Sequence, residues 1–274
     1  MNRVLLPLVA LLALVLGGCG GGSGARDALA ETAGKLGDIR SGTLTLEVRI
    51  EGTGQVGGEA GFELEGPFGF GEAGELPQAD IAYRRIAGSQ QAEARFVSTG
   101  EKAFVEVGGE TYELPDSMVA DLRTTEGGSG SDSGLGELDI GDWLVDPQLS
   151  DGGEVGGAET DRVSSRLDVV AAVNDLLGVV RDLGVADLGQ LDGERAEQLR
   201  RAVTSSSIDI WTGKDDRLLR KLEIHAKFGA SGPSELEQAL GELGGAKVTF
   251  LLEIADPNEP VHVQAPADAV PYPG

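Results

Sequence analysis

Few residues of this sequence could do chemistry, and their spacing does not place them in one catalytic site. The chain of 274 residues has one cysteine, Cys19, and two histidines, His225 and His262. A zinc site needs three or four nitrogen, sulfur or carboxylate ligands, and the two histidines lie far apart in sequence. His225 alternates with apolar residues on the solvent side of a predicted strand. Both histidines are therefore predicted to be surface residues.

The aspartates and serines give no better case for an enzyme. Asp215 and Asp216 fall in a predicted hairpin turn, where aspartate is favoured because it hydrogen-bonds to its own backbone. Calcium would need more oxygen ligands at a suitable spacing. The serines are abundant, but none lies in the strand-turn-helix context of a nucleophile. We expect a protein that is not an enzyme, with no catalytic residue, metal or cofactor.

Two glycine-rich hexapeptides, residues 52–57 and 69–74, match the GxGxxG pattern of dinucleotide-binding sites. Such a site needs a helix N-terminus after the glycines to bind the pyrophosphate. The first hexapeptide follows a predicted strand but precedes another strand, and 43 glycines make chance matches frequent. Gly213-Lys214 lacks the upstream glycine and the following Ser or Thr of a P-loop. The two hexapeptides are therefore predicted to be turns.

Cys19 follows directly on an apolar segment. Arg3 precedes an apolar run, residues 4–16, which is too short to cross ~30 Å of hydrocarbon and is typical of a signal sequence. The run ends in Leu16-Gly17-Gly18, and with Cys19 this segment resembles the lipobox of bacterial lipoproteins. The resemblance implies a signal peptide at 1–18, diacylglycerol on the Cys19 thiol and usually a third chain, such as palmitate, on the new amino terminus.

Acyl chains in this number would anchor the protein stably, because two or more chains hold a protein on a membrane whereas a single chain holds it only marginally. The alternative is an ordinary secreted protein with a free cysteine, which is unusual in that compartment. We therefore expect a cell-membrane location, on the extracytoplasmic face, with the acyl chains on Cys19 as the membrane contact.

Composition limits the partners of the chain. The formal net charge is -24, and so nucleic acid is excluded, because a phosphate backbone needs a basic surface. The same charge opposes flat adsorption onto anionic lipid. A hydrophobic fraction of 40% with only 4% aromatics predicts an aliphatic core, and a single cysteine leaves no disulfide to stabilise it. We expect one domain and a monomer.

The predicted domain plan is a signal peptide at 1–18, a flexible tether at 19–25 and one domain at 26–274 with a mobile loop at 126–139. Period-two alternation predicts antiparallel strands from Thr43 onward, separated by glycine-rich turns. The first runs centre on Leu46, Phe62, Ile81, Phe96 and Val105. Strands are predicted again at 159–167, 208–210, 218–228, 248–254 and 261–263.

Helical spacing predicts the remaining elements. A short helix is expected at 26–36, another at 116–123, one after the N-cap Asp168, and one at 193–203 after Asp192. A compact segment is expected at 140–147 and a helical insertion at 231–243. These helices have apolar stripes that must be covered, which predicts an α+β fold with helices on one curved antiparallel sheet.

At this point the sequence resembles the LolA-like half-barrel lipoproteins, particularly the LppX/LprG group. The resemblance covers nearly all of the mature chain and is carried by short segments: Ser41 to Leu44, Asp142-Trp143 with Asp146-Pro147, Leu167 to Val169, Ile210 to Gly213 with Leu219 to Leu222, and Val261 to Pro266. It implies a single curved antiparallel sheet, an open half-barrel, with helices covering the concave face.

The resemblance also implies a carrier, in which an apolar cavity between half-barrel and helical lid takes lipid or an acylated molecule. The alternative is an envelope sensor or scaffold lipoprotein with a filled interior and a protein partner, and each apolar residue could equally be core. The pocket candidates are Leu44, Leu46, Val48, Ile50, Phe62, Leu64, Ile81, Tyr83, Phe96, Val105, Val173, Leu177, Ile208, Ile210, Leu222, Ile224, Phe228, Val248, Phe250 and Leu252.

Overall fold

One large sheet dominates the fold. The computed structural model describes residues 21–52, 59–71, 75–87, 92–126, 140–182, 190–229 and 245–273. Within these ranges twelve strands form a single sheet in the order β12-β6-β5-β4-β3-β2-β1-β11-β10-β9-β8-β7. All neighbours pair antiparallel except β12 and β6. The sheet is curved and has two free edges, which makes it an open half-barrel.

The strands fall into two runs along the chain. The first run contains β1 (Ser41–Glu51), β2 (Glu59–Gly69), β3 (Gln78–Ala87), β4 (Ala92–Thr99), β5 (Ala103–Val107) and β6 (Glu110–Glu113). The second run contains β7 (Leu144–Val155), β8 (Ala158–Leu167), β9 (Val203–Gly213), β10 (Leu219–Phe228), β11 (Lys247–Ala255) and β12 (Val270–Pro271). The two runs meet where β1 pairs with β11.

Helices connect and cover the strands. They are α1 (Gly21–Ala33), α2 (Asp116–Glu126), α3 (Val169–Asp182) and α4 (Gly193–Ala202), with short 3-10 helices at Leu36–Asp38 and Ile140–Trp143. Asp168 caps α3, because its carboxylate accepts hydrogen bonds from the backbone N–H groups of Val170 (3.0 Å) and Ala171 (3.2 Å). No described helix is long and apolar enough to cross a membrane.

Strand register fixes which residues share a face. Leu46 of β1 lies opposite Leu64 of β2 and Leu252 of β11, and directly opposed residues point to the same side of a sheet. We call this side the inner face, because α1 and α3 cover part of it. The other side, which we call the outer face, carries the alternating charged residues of the same strands, such as Glu47 and Arg49.

The main hydrophobic core lies between the inner face and the helices. Ala25 and Leu29 of α1, Trp143 of the second 3-10 helix and Ala172 of α3 pack on β8 to β11 and on the adjoining part of β1. Trp143 also donates a hydrogen bond from Nε1 to Asp175 Oδ2 at 2.7 Å, which joins its 3-10 helix to α3. Two smaller clusters lie under α2 and between α3 and α4.

Two expectations about helix starts need correction. Helix α1 begins at Gly21, so that it includes residues 21–25 of the predicted tether, and Ala25 is fully buried. The glycines there permit a helix whose stability comes from packing on the core rather than from propensity. Asp192 occupies the N-cap position of α4, but its side chain makes no capping hydrogen bond.

Two strand predictions also need correction. The segment 140–147 was expected to be a compact unit ending at Asp146-Pro147. Instead strand β7 runs through its end, from Leu144 to Val155, at the edge of the sheet and with two bulges. Edge strands tolerate proline and glycine, and because these residues are typical of turns, the sequence did not predict this strand. Residues 261–263 alternate in burial but form no ladder; Val263 N–H instead donates to the Gln78 side chain at 3.3 Å. Pro260 and Pro266 flank this segment and have no N–H to donate.

Several expectations concern residues outside the described ranges. These are the signal peptide, Cys19, most of the predicted mobile loop (127–139) and the helical insertion at 231–243. The first glycine hexapeptide falls mainly in the connection between β1 and β2, which pair antiparallel from Glu51 opposite Glu59. The strand-to-helix context of a dinucleotide site is therefore not present at that position.

Candidate functional site

Apolar side chains form rows that cross the inner face from strand to strand. The register places Leu64, Leu46 and Leu252 side by side, and the same row continues at both ends. In full it reads Ala94, Tyr83, Leu64, Leu46, Leu252, Leu222 and Ile210. A continuous apolar face thus extends over eight neighbouring strands once Val163 of β8 is added opposite Ile210.

The half of this face nearest β9 is packed. Four predicted pocket residues are buried in the main core, with exposed fractions of 0% to 8%: Ile208, Ile210, Leu222 and Leu252. Four more are partly buried and pack against the same core: Leu44, Leu46, Ile224 and Phe250. These eight residues bind the sheet to α1, α3 and the second 3-10 helix, and they stabilise the fold.

The other half of the face lies largely outside the packed clusters. Eight predicted pocket residues remain half-buried there and belong to none of the hydrophobic clusters of the described chain: Val48, Ile50, Phe62, Leu64, Ile81, Tyr83, Val105 and Val248. We call these eight residues the open patch. The rings of Phe62 and Tyr83 stack there, with centroids 6.3 Å apart and planes 28° apart.

The remaining four candidates lie at the borders of the face. Val173 and Phe228 pack against the cluster between α3 and α4, whose centre is Leu199. Phe96 packs under α2 with Leu76 and Val119, and Leu177 is half-buried on α3. The structure therefore places most of the predicted residues on the sheet, divided mainly into a packed set and an open patch, whereas Val173 and Leu177 lie on α3.

The outer face has the opposite character. Ion pairs join residues within a strand and between neighbouring strands there: Arg49 with Glu47 and Glu59, Arg84 with Glu63, Arg95 with Asp80, and Arg162 with Asp209. Trp211 lies between two cations, with Arg162 5.1 Å and Lys221 4.8 Å from its ring. A solvent-adapted outer face leaves the inner face as the side suited to an apolar ligand.

Two surface hollows of the described chain have mixed linings, in which charged side chains alternate with apolar ones. One, of about 670 Å³, lies between α3 and α4 and includes Asp192, Glu194, Glu197 and Arg200. The other, of about 860 Å³, lies largely on the outer face among Glu63, Glu65, Glu93, Arg84 and Arg95. Acyl chains need aliphatic walls, and so neither hollow is a suitable lipid site. The open patch remains the candidate.

A buried cation lies at the end of the sheet near the β9–β10 turn. The side chain of Arg220 is only 6% exposed and donates to Asp216 Oδ2 at 2.5 Å. Burial alone would raise the pKa of Asp216, but hydrogen bonds from the Leu218 backbone N–H and from Arg220 outweigh it and lower that pKa below its ordinary value. The predicted turn position of Asp216 is confirmed, and its partner is a structural cation.

Both histidines are at least partly exposed to solvent. His225 is on the outer face, where its Nε2 lies 2.9 Å from Glu223 Oε1, and His262 is exposed in the extended segment before β12. Within the described ranges no three His, Cys, Asp or Glu side chains lie close enough together to hold a metal ion.

Sequence reasoning missed one charged residue of the inner face. Arg85 lies opposite Phe62 and two positions after Tyr83, so that it shares their side of β3. The alternation of Ile81, Tyr83 and Arg85 along β3 is a signal that could have placed it there. Arg85 is exposed, and it makes no ion pair within the part of the chain that the structure describes.

Comparison with known proteins supports the architecture. No protein-family model and no curated protein matches the chain. Among solved structures, LprF from Mycobacterium bovis is similar with a TM-score of 0.50 at 13% identity, over 90% of this chain and 99% of LprF. The lipoprotein LppX from Mycobacterium tuberculosis has a TM-score of 0.35 at 12% identity, over 88% of this chain and 99% of LppX.

A LolA superfamily protein, NE2245 from Nitrosomonas europaea, has a TM-score of 0.19 at 9% identity, over 85% of this chain and 94% of that protein. The LppX and NE2245 scores are too low to support an argument, and the similarity to LprF concerns the fold. The described chain shares the fold of LprF, a twelve-stranded open half-barrel sheet with helices on its inner face, and this fold is the one that the sequence predicted.

Proposed function

We propose that this protein is a membrane-anchored extracytoplasmic lipoprotein that binds lipid or an acylated molecule against the open patch. The observation that supports the proposal is the continuation of the apolar inner face beyond the packed core. Exposed apolar area of this kind marks an interaction site, because burying it gains about 25 cal/mol per Å². An acyl chain laid along the patch would complete the burial that α1 and α3 provide over the other half.

The anchor is the second part of the proposal. Acyl chains on Cys19 would hold the amino end of the chain at the membrane, where lipid ligands are found. Because α1 begins at Gly21, only residue 20 lies between Cys19 and the first described helix. The folded domain would therefore lie close to the bilayer, and the ligand would have a short path between membrane and patch. No step of this proposal needs an enzymatic activity.

Mass spectrometry tests both parts on the full chain. The wild-type protein, purified from a bacterial envelope and denatured, is expected to carry the mass of a diacylglycerol and an acyl group, which Cys19→Ser removes. The Cys19→Ser protein, measured under native conditions, is expected to carry an additional lipid-sized mass. Organic extraction should release that mass, and its identity gives the class of ligand.

Two neighbouring positions on opposite faces provide the control. Leu64→Asn places an amide in the open patch, whereas Glu65→Asn places the same side chain on the exposed outer position next to it. Loss of the lipid mass is expected from the first variant only, with both variants folded by circular dichroism. A Cys19→Ser protein without ligand that also ignores added lipid would overturn the carrier proposal and favour a sensor or scaffold with a protein partner.

A further inference from the structure

Arg85 differs in charge from the other inner-face residues of β1 to β5. The inner positions of β1 to β5 that the structure describes are apolar or small, apart from the hydroxyls of Ser98 and Tyr83, and Arg85 is their one charged residue. Its direct neighbours across the strands are Phe62 of β2 and Ala92 of β4. A cation with apolar neighbours on both sides has no carboxylate beside it on that face.

The other arginines of the neighbouring strands all have partners. Arg49, Arg84 and Arg95 lie on the outer face, and each pairs with a carboxylate of its own or a neighbouring strand. The acidic residues at the adjoining positions of β2 and β4, Glu63 and Glu93, lie opposite Arg84 on the outer face. Arg85 therefore keeps its guanidinium donors available to a ligand at the margin of the open patch.

A row of apolar side chains leads away from Arg85 across the sheet. The register aligns Arg85, Phe62, Val48, Phe250 and Ile224. At the ~4.8 Å separation of neighbouring strands this row spans about 19 Å, which is close to the length of an extended sixteen-carbon chain. One end of the row is cationic and exposed, and the other end enters the packed core.

We infer that the ligand of the open patch is an anionic amphiphile, whose carboxylate or phosphate is bound by Arg85 while its acyl chain lies along the row of Phe62, Val48 and Phe250. A carboxylate and a phosphate each present at least two oxygens close together, and a guanidinium binds such oxygens through paired hydrogen bonds. The inference rests on the proposed function and adds the chemistry of the headgroup. The net charge of -24 repels anions at long range, which makes a local cation necessary for such a ligand.

Three ligands with the same chain length test the inference: hexadecanol, palmitate and hexadecyl phosphate. Each displaces a fluorescent fatty alcohol from the full-length Cys19→Ser protein at ~0.15 M salt, where the Debye length of ~8 Å screens distant carboxylates. We expect palmitate and hexadecyl phosphate to bind about fivefold more tightly than hexadecanol. That factor equals about 1 kcal/mol, the upper end for an exposed ion pair. Inorganic phosphate alone should displace nothing.

Adjacent arginines on opposite faces supply the variants. Arg85→Gln should abolish the preference for the anionic ligands and leave hexadecanol binding unchanged, and Arg85→Lys should keep part of the preference. Arg84→Gln changes the net charge equally but acts on the outer face, and it should keep the whole preference. The inference would be overturned if all three ligands bound equally well, or if Arg84→Gln also abolished the preference for the anionic ligands. In either case the proposed function would stand. Failure of all three ligands to bind would overturn the proposed function itself.

Discussion

Asp216 and Arg220 show how much of the local stability can depend on one carboxylate. The Arg220 side chain is almost fully buried, and its Nε has no hydrogen-bond partner among the described residues. Its Nη2 reaches Asp216, and Lys35 Nζ donates to the Asp216 carbonyl oxygen at 2.8 Å, which joins the turn to the end of α1. A buried guanidinium that loses its counter-charge is costly, because water cannot replace the carboxylate.

Asp216→Asn is therefore expected to lower the free energy of unfolding at pH 7 by about 2 kcal/mol. Breaking a fully buried pair costs about 3–5 kcal/mol, and we take a smaller value because the Asp216 side chain is 42% exposed. Urea denaturation measures the change. Adding Arg220→Met should restore most of the loss, since an apolar side chain of similar length needs no counter-charge. Asp215→Asn, an exposed neighbour, should change stability by less than about 0.5 kcal/mol.

The Asp216–Arg220 ion pair should make the stability of the folded protein decrease as the pH falls. The pKa of Asp216 is lowered in the folded protein, so that its stabilising contribution is complete above the ordinary aspartate pKa of about 3.9. The contribution is lost as the pH falls through the lower, folded-state pKa. Between pH 5 and pH 2 the wild-type protein should thus lose more stability than Asp216→Asn. Parallel pH profiles for the two proteins would contradict this assignment.

At the scale of elements, alternation along the chain predicted most of the sheet but not its edges. The runs centred on Leu46, Phe62 and Phe96 became central strands because one side of each faces the core. β7 escaped prediction because its Pro147 and Gly152-Gly153 are typical of turns, and an edge strand accommodates them with bulges. Residues 261–263 show the reverse case, in which alternation is present but flanking prolines prevent a ladder.

The sequence predicted which side chains lie on the inner face of the sheet, but not which of them the helices leave uncovered. Period two identifies which side chains point inward, and Leu64 and Leu222 look alike by that criterion. Whether an inward side chain is covered depends on where α1, α3 and Trp143 pack, and no local pattern records this. Arg85 was missed for a related reason, because one charged residue at an inner position is masked by the charged residues around it.

The division between packed core and open patch predicts different effects of one substitution. Leu222→Ala should reduce the free energy of unfolding by about 3 kcal/mol, because Leu222 is 3% exposed and its removal leaves a cavity. Leu64→Ala should cost about 1 kcal/mol, since solvent already reaches that half-buried side chain. Urea denaturation of the ligand-free Cys19→Ser protein measures both values.

The ligand-binding effect should run in the opposite order. Leu64→Ala removes part of the open patch and should weaken hexadecyl phosphate binding, whereas Leu222→Ala should leave it nearly unchanged as long as the protein is folded. Equal destabilisation by the two substitutions would mean that Leu64 is a core residue. The open patch would then have to be redrawn without β2.

At the scale of the whole molecule, acidic residues outnumber basic residues so far that ion pairs can neutralise only part of the negative charge. The chain has 46 acidic and 22 basic residues, and the described basic residues of the sheet are largely paired. The surplus carboxylates repel one another in the compact state, which lowers its stability relative to the unfolded chain. Surface ion pairs contribute only ~0–1 kcal/mol each, so that little stability is lost when salt screens them.

Added salt should therefore stabilise this protein. Screening of the carboxylate repulsion exceeds the weakening of ion pairs, because acidic residues outnumber basic ones by about two to one. We expect the Tm at pH 7 to rise between 0.01 M and 0.5 M NaCl and to level off as the Debye length falls from ~30 Å to a few ångströms. KCl at equal ionic strength should raise the Tm by the same amount, because screening depends on ionic strength and not on the cation. A Tm that falls with NaCl would show that the ion pairs of the outer face outweigh the net charge.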